Sequence, residues 1–255
     1  MSDSDFEIQS GKGRRWAVLL PALVVPLASS FFYFVLFPGT AFGNGFYIAA
    51  KIFLLGWPIL ATFSILKEPM VDRSLKRRHK ISMVEGMVFG IAVSVLLFYL
   101  FKFSPLGVIV GENVSRISER IIGLGVANHY LLFALFISFF HAALEEFYWR
   151  WFVFGNARKL MPIGVAFLVA AVGFASHHVV VLSQFFPIGW AFTLGACVGF
   201  GGAVWSWIYH RTNSMGGVWF SHMIIDLAIM WVGWEVLKAA GLFQNSGVLA
   251  LLFDR

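Results

Sequence analysis

Residues 129–153 read HYLLFALFISFFHAALEEFYWRWFV, a long apolar stretch that contains two adjacent glutamates and an arginine. It is long enough to cross a bilayer, because a transmembrane helix needs about 20 mostly apolar residues. Its apolar side chains contribute about −4 to −7 kcal/mol to the free energy of membrane insertion, whereas Glu145, Glu146 and Arg150 together contribute about +8 to +10 kcal/mol. Such a helix is stable in a membrane only where its charged groups meet partners or water inside a helical bundle.

The rest of the chain has the same membrane character. Of its 255 residues, 59% are hydrophobic and only 13% are charged, against about 25% charged residues in an ordinary soluble domain. This composition excludes a soluble enzyme, a disordered protein and a nucleic-acid-binding module. The net charge of +6 therefore concerns membrane topology and does not indicate nucleic acid as a partner.

Six further apolar stretches are long enough to span a bilayer, which predicts an all-α polytopic bundle of seven or eight transmembrane helices. They lie at 16–38, 43–66, 83–103, 162–184, 187–209 and 214–236. Residues 1–15 form the expected N-terminal tail, and 16–128 the N-terminal helices. The segment 237–255 is a tail or a short last helix. Gly195, Gly199 and Gly202 predict a close approach of a neighbouring helix.

Between the third and fourth spans, residues 110–124 show a different pattern. Apolar side chains recur at spacings of four and three, and charged side chains occupy the opposite face. This pattern predicts an amphipathic helix that lies along the membrane interface.

Basic residues are about twice as frequent on one side of the predicted spans as on the other, with a cluster in 67–80. The positive-inside rule then places the N-terminus in the cytoplasm. The short loops and the absence of a targeting extension favour the plasma membrane of a prokaryote.

Spacing within the fourth span predicts how its charges are used. Glu146 and Arg150 are four residues apart, with the acid first, which favours an ion pair. Glu145 points about 100° away and shares its face with His141. Glu146 is therefore expected to be structural and Glu145 to be free for chemistry. His141 is either a supporting residue of that site or an ordinary hydrogen-bonded bundle histidine.

Two other spans supply histidines. The fifth contains Phe174-Ala175-Ser176-His177-His178, and the seventh places His222 four residues before Asp226. An acid one turn from a histidine either orients it or shares a metal ion with it. Helix lengths allow Glu145, His178, His222 and Asp226 to lie at similar depths and converge in one cavity.

These three segments resemble the motifs of the CPBP family of intramembrane proteases, which includes CAAX proteases and bacteriocin-processing enzymes. Glu145 to Arg150 resembles the EExxxR motif, Phe174 to His178 the FxxxH motif, and His222 to Asp226 the third motif, His-x-x-x-Asn/Asp. The motifs occur in family order on separate spans. The resemblance covers about 129–236, the expected catalytic core.

The resemblance implies an endopeptidase that hydrolyses a peptide bond of a membrane-associated peptide or protein, within a bilayer cavity and among membrane lipids. It implies that Glu145 is the general base and that His178 positions the attacking water. His222 with Asp226 stabilises the tetrahedral intermediate. Glu146, Arg150 and Phe174 are supporting residues, and CAAX-type C-terminal processing is one activity within the family.

Metal dependence stays open at this stage. The same four side chains, Glu145, His178, His222 and Asp226, are of types that can hold a divalent ion such as zinc. The sequence contains no HExxH, and we favour a mechanism without a metal cofactor. In that mechanism Asp226 is protonated or only orients His222, because an ionised carboxylate would repel an oxyanion.

Two other functions are compatible with charged groups inside a membrane. One is a proton-coupled transporter that uses Glu, His and Asp as a relay, although no inverted repeat is visible. The other is a catalytically silent immunity or binding member of the same family. His177 is expected to be a packing neighbour, and the tryptophans are expected in the aromatic belt at the interface: Trp149, Trp151, Trp205 and Trp207.

Overall fold

A computed structural model of the chain describes residues 3–70 and 77–242, with side chains from residue 11 onward. In chain order its helices are α1 (Gly11–Leu36), α2 (Ala41–Leu66), α3 (His79–Phe103), α4 (Pro105–Glu112), α5 (Val114–Gly123), α6 (Ala127–Leu160), α7 (Ile163–Leu182), α8 (Ile188–Thr212) and α9 (Gly216–Ala239).

All of these helices except α4 and α5 are long and apolar enough to cross a membrane, which makes seven candidate spans. The predicted all-α polytopic fold is confirmed, and the predicted spans agree with the observed helices to within a few residues, apart from the longer C-terminal end of α6. The helix that contains α1 already begins at Asp3. The proposed short last helix at 247–253 and part of the basic cluster, 71–76, lie outside the described residues.

The amphipathic segment 110–124 differs from its prediction in one respect, because it is divided between two helices. The side-chain amide of Asn113 donates to the carbonyl of Ile109 at 2.8 Å, and the backbone of Asn113 leaves helical geometry. This side-chain hydrogen bond separates α4 from α5. The amphipathic character belongs to α5, which buries Ser118 and Ile121.

The outside of the bundle is apolar and its inside carries charge. Large side chains such as Ile52, Phe140 and Phe200 are about two thirds exposed. Glu146 and Arg150 are 1% exposed. This distribution is the reverse of a soluble protein's and fits a bundle whose outer surface contacts lipid.

A stripe of small residues lets α3 and α9 pack against each other closely. Ser82, Gly86, Gly90 and Ser94 recur every four residues and are buried. A Cβ atom added to Gly86 would overlap the backbone of Gly217, so neither helix tolerates a side chain at that crossing. This contact fixes the beginning of α9, the helix that carries His222.

The predicted small face of α8 is also confirmed. A Cβ atom on Gly199 would lie 3.0 Å from Ala175 of α7, and one on Gly202 would lie 2.9 Å from the Phe174 ring. The close contact holds Phe174 and the histidines that follow it against the centre of the bundle.

Helix α6 is not a uniform α-helix. Its turns at Ile137–His141 and Phe147–Phe154 are π-helical, on either side of a short α-helical segment at Ala142–Glu146. Each π turn holds an extra residue, and such turns are frequent at functional sites. The Tyr148 hydroxyl donates to the carbonyl of Ala22 at 2.7 Å and anchors α6 to α1.

An ion cluster joins three elements at one end of the bundle. Glu68, which follows α2, pairs with Arg15 of α1 and with Lys159 at the end of α6. Partial burial alone would raise the pKa of Glu68, but hydrogen bonds and charge from the two cations hold that pKa below its ordinary value. The carboxylate therefore stays ionised at neutral pH.

Candidate active site

Glu145 lies at the centre of the candidate site, in the α-helical segment between the two π turns of α6. Its side chain is 8% exposed, and its Oε1 atom lies 3.4 Å from Nε2 of both His141 and His177. These separations allow charge attraction but are longer than a good hydrogen bond. Glu145 therefore points into the bundle, as predicted, and contacts imidazoles from two helices.

His178 is oriented by its own helix. Its Nδ1 atom lies 2.8 Å from the carbonyl oxygen of Phe174. A carbonyl oxygen only accepts, so Nδ1 carries the proton and donates it. The Nε2 atom is then free to accept a proton from water or to bind a metal.

His222 connects the two glutamates. Its Nδ1 atom donates to Glu146 Oε1 at 2.7 Å, while its Nε2 atom lies 3.8 Å from Glu145 Oε2. Asp226 Oδ2 lies 3.6 Å from the same Nε2 atom. Carboxylates therefore flank both ring nitrogens of His222, although only Nδ1 lies within hydrogen-bond distance of one.

The predicted ion pair between Glu146 and Arg150 is confirmed. Arg150 Nη1 lies 3.0 Å from Glu146 Oε1, and both side chains are 1% exposed. No guanidinium nitrogen has a partner of good hydrogen-bond geometry among the described residues. Instead the guanidinium carbon lies 4.3 Å from the centre of the Phe174 ring and 4.8 Å from that of Trp205, and cation–π attraction adds to the ion pair.

Two tryptophans that were expected at the interface are part of the site, so that prediction is wrong for them. Trp149 is 1% exposed and stacks nearly parallel to His177, with ring centres 5.6 Å apart. Trp205 is 4% exposed and stacks on His222 at 4.3 Å. Their rings fix the planes of two imidazoles. Trp207 is 43% exposed, and its place at the interface stays a prediction.

The structure brings together all four residues that were predicted to carry the chemistry, and it adds His177. This residue was interpreted as a packing neighbour, but its Nε2 atom reaches Glu145 as closely as that of His141. The signal was present in the sequence as two adjacent histidines. Because neighbours on a helix point about 100° apart, both can face one wide cavity.

One group of three side chains is arranged as a metal site would need. Ligand atoms of Glu145, His177 and His178 all lie within 4.8 Å of one another. Two imidazoles and a carboxylate with an open position are a usual ligand set of catalytic zinc. The proton on Nδ1 of His178, donated to a carbonyl, is the outer-shell arrangement that such ligands normally have.

Comparison with known proteins agrees with the motifs. A family model described as type II CAAX prenyl endopeptidase Rce1-like matches residues 127–228. This range contains every side chain of the site described above. Neither a curated protein nor a solved structure matches the chain.

Proposed function

We propose that this chain, which through residues 127–228 belongs to the CPBP family of CAAX-type proteases, is an intramembrane endopeptidase. Its substrate would be a membrane-associated peptide or protein, cleaved in a cavity within the bilayer. The observation that carries the proposal is the burial of Glu145 in contact with His141 and His177. A carboxylate in a membrane span has a high free-energy cost, and ionisable groups that are retained there by default indicate a functional site.

The reaction begins with a water molecule held between Glu145 and His178. Glu145 takes a proton from the water as its oxygen attacks the carbonyl carbon of the scissile peptide bond. The carbonyl oxygen becomes negative in the tetrahedral intermediate. When the intermediate collapses, the C–N bond breaks and Glu145 returns the proton to the leaving nitrogen. The products are a new carboxylate and a new amine.

The role of His222 is to stabilise the oxyanion. A hydrogen-bond donor that already points into a poorly hydrated site stabilises a developing negative charge more strongly than the same donor does in water. In the doubly protonated ring, Nδ1 remains bound to Glu146 while Nε2 is available to the oxyanion. Asp226, 3.6 Å from Nε2, orients the ring in this scheme.

Glu146 and Arg150 act through His222 and are positioning residues. Glu146 fixes the ring through Nδ1, as the buried aspartate of a serine protease fixes its histidine. Arg150 balances the charge of Glu146 and is itself enclosed by Phe174 and Trp205. The pair supplies a rigid support on the side of His222 opposite the reacting atoms.

A metal-dependent form of the same reaction is favoured by one observation, the grouping of Glu145, His177 and His178. These three residues fit a divalent ion such as zinc and would hold it. When bound, the ion would lower the pKa of water and polarise the scissile carbonyl. Glu145 is then a ligand, and His222 keeps its position opposite the oxyanion. Chelation distinguishes the two forms.

The orientation and location of the enzyme complete the proposal. The basic residues between the spans favour an N-terminus in the cytoplasm, and we place the protein in the plasma membrane of a prokaryote. CAAX-type processing of a C-terminus is the activity that the matched family suggests.

The test is cleavage in proteoliposomes. The purified chain is reconstituted and supplied with a quenched fluorescent peptide library, with and without a strong chelator. Wild type should cleave, and Glu145→Gln, His178→Ala and His222→Ala should each lose at least about 100-fold in rate. Loss on chelation with recovery on zinc addition would favour the metal-dependent form.

Two matched variants control for folding. His129→Ala removes an exposed histidine at the start of α6, and Glu235→Gln removes an exposed carboxylate in α9. Both should cleave like wild type. Equal cleavage by the wild type and the three site variants would overturn the proposal.

A further inference from the structure

A cavity opens at the end of the bundle where α2, α6 and α8 end. It encloses about 650 Å³ of space, including its open mouth, which lies within the size range of small-molecule sites. Among the described residues, its wall contains one carboxylate, Glu68, and three cations, Arg77, Arg158 and Lys159. None of the candidate catalytic residues contributes to this wall, so the cavity is separate from the candidate active site.

The wall of this cavity has an excess of positive charge. Glu68 is already engaged, because it pairs with Lys159 at 3.0 Å and also with Arg15 of α1. Within the described parts of the chain, neither Arg77 nor Arg158 forms an ion pair or a side-chain hydrogen bond. Two guanidinium groups at one cavity therefore receive no anion from the described residues.

Arg158 is held in place by two aromatic rings. Its guanidinium carbon lies 5.4 Å from the centre of the Tyr209 ring and 5.8 Å from that of Phe154, both within the range of cation–π attraction. Both rings are buried, and Arg158 itself is partly buried. The contact fixes the guanidinium group and leaves its N–H donors for a ligand. Tyr209 also lines the cavity, and its hydroxyl is a further donor.

A role in membrane topology does not account for this arrangement. The positive-inside rule requires only that basic residues lie on the correct side of the membrane, where water satisfies an exposed guanidinium group. Arg158 instead lies against buried rings, in a cavity that it shares with Arg77 and Lys159. Basic pockets between membrane helices are typical binding sites of anionic lipid headgroups, and the planar guanidinium group matches the oxygens of a phosphate.

We infer that this cavity binds a phosphate group with a net negative charge, supplied by a lipid headgroup or by a soluble phosphate. Arg77 and Arg158 would donate to the phosphate oxygens, together with the hydroxyl of Tyr209. The cavity lies at the ends of membrane-spanning helices, where lipid headgroups meet a bundle. The apolar side chains that also line it, such as Leu66 and Met70, suit the adjoining part of a lipid.

The experiment measures binding to the full chain in a non-ionic detergent. Native mass spectrometry gives the apparent Kd of phosphatidylglycerol, whose headgroup is anionic, and of phosphatidylcholine, whose choline neutralises the same phosphate. A second arm titrates inorganic phosphate and follows the Tm of the protein, with chloride at equal ionic strength as the reference, because a ligand that binds the folded state raises its Tm.

The variants are Arg158→Gln and Arg77→Gln, with Arg211→Gln as the matched control. Arg211 is at the same end of α8 and also lies over an aromatic ring, that of Trp207, at 4.6 Å, but it does not line the cavity. Arg77 is exposed, so Arg77→Gln should fold even if Arg158→Gln does not. Circular dichroism verifies the helix content of each protein.

Wild type should bind phosphatidylglycerol at least about tenfold more tightly than phosphatidylcholine, equal to about 1.4 kcal/mol. Arg158→Gln and Arg77→Gln should each weaken this binding by about tenfold, because each removes charge-assisted hydrogen bonds. Arg211→Gln should stay within about twofold of wild type. If the two lipids bind alike but phosphate raises the Tm of wild type and not that of the folded cavity variants, the source of the phosphate is soluble.

Two results would overturn the inference. One is the absence of both effects in wild type, that is, no preference for phosphatidylglycerol and no rise in Tm with phosphate beyond that with chloride. The other is an equal loss of binding in Arg77→Gln and Arg211→Gln, which would assign the attraction to the overall positive charge of this end of the bundle. Neither result depends on peptide cleavage, so both leave the proposed function standing.

Discussion

Replacement of Arg150 by methionine tests the buried support of the site. The substitution keeps much of the side-chain volume but removes the guanidinium that pairs with Glu146, whose side chain is 1% exposed and then has His222 alone as its partner among the described residues. Breaking a buried pair in this way costs about 3 to 5 kcal/mol. That is a large share of the roughly 5 to 15 kcal/mol that stabilises a typical protein.

A more exposed pair of similar length provides the control. Arg211 and Glu85 lie 2.8 Å apart, and their side chains are 45% and 22% exposed, against 1% for both members of the buried pair. Arg211→Met should therefore lower the free energy of unfolding by less than about 1 kcal/mol. The double variant Arg150→Met/Glu146→Gln removes both buried charges and should recover much of the stability that Arg150→Met loses, while cleavage stays impaired because His222 has lost its charged partner.

Unfolding of the four proteins in mixed micelles, followed by tryptophan fluorescence and circular dichroism, gives the comparison. If Arg150→Met proves too unstable to purify, the double variant and Arg211→Met still test the argument, since both should fold. If Arg150→Met is no more destabilising than Arg211→Met, the buried pair does not stabilise the fold as proposed. A double variant less stable than Arg150→Met alone would show the same.

Three further predictions concern other parts of the molecule. Gly217→Ala should lower the free energy of unfolding by about 1 to 3 kcal/mol, because its Cβ atom would overlap the backbone of α3. Gly164→Ala is the control: its Cβ atom meets open space, so it should show no loss in the same unfolding assay. Because the pKa of Glu68 is lowered in the folded protein, its contribution to the free energy of unfolding is complete above about pH 4.5 and is lost as the pH falls through the native pKa. The difference in unfolding free energy between wild type and Glu68→Gln should therefore disappear in acid. Asp226→Asn should retain cleavage within about tenfold of wild type if Asp226 only orients His222, whereas a loss of 100-fold or more would assign it a charged role.

Much of the fold was readable from the sequence because membrane spans are a local property. A run of about 20 apolar residues specifies a span wherever it occurs, so the seven helices were found with nearly correct ends. The Glu146–Arg150 pair was equally accessible, since a spacing of four in an α-helix brings two side chains together. The small face of α8 was readable too, as glycines at spacings of four and three.

The burial of Trp149 and Trp205 was not readable, for a different reason. Composition shows that a tryptophan lies in a span, but not which neighbour its face of the helix will meet. The π turns of α6 add residues to the helical repeat. Side-chain directions calculated for 3.6 residues per turn are therefore wrong beyond each π turn. The place of His177 depends likewise on the contact between α7 and α8, which arises from the tertiary structure.

Hydrolysis in water enriched in oxygen-18 tests whether Glu145 activates the water that cleaves the peptide bond. Reconstituted wild type should release a product whose new C-terminal carboxylate carries one atom of the heavy isotope, as read by mass spectrometry. Glu145→Gln should form that product at least about 100-fold more slowly, while Glu235→Gln should match wild type. Formation of the labelled product at the same rate by wild type and Glu145→Gln would show that Glu145 is not the catalytic base.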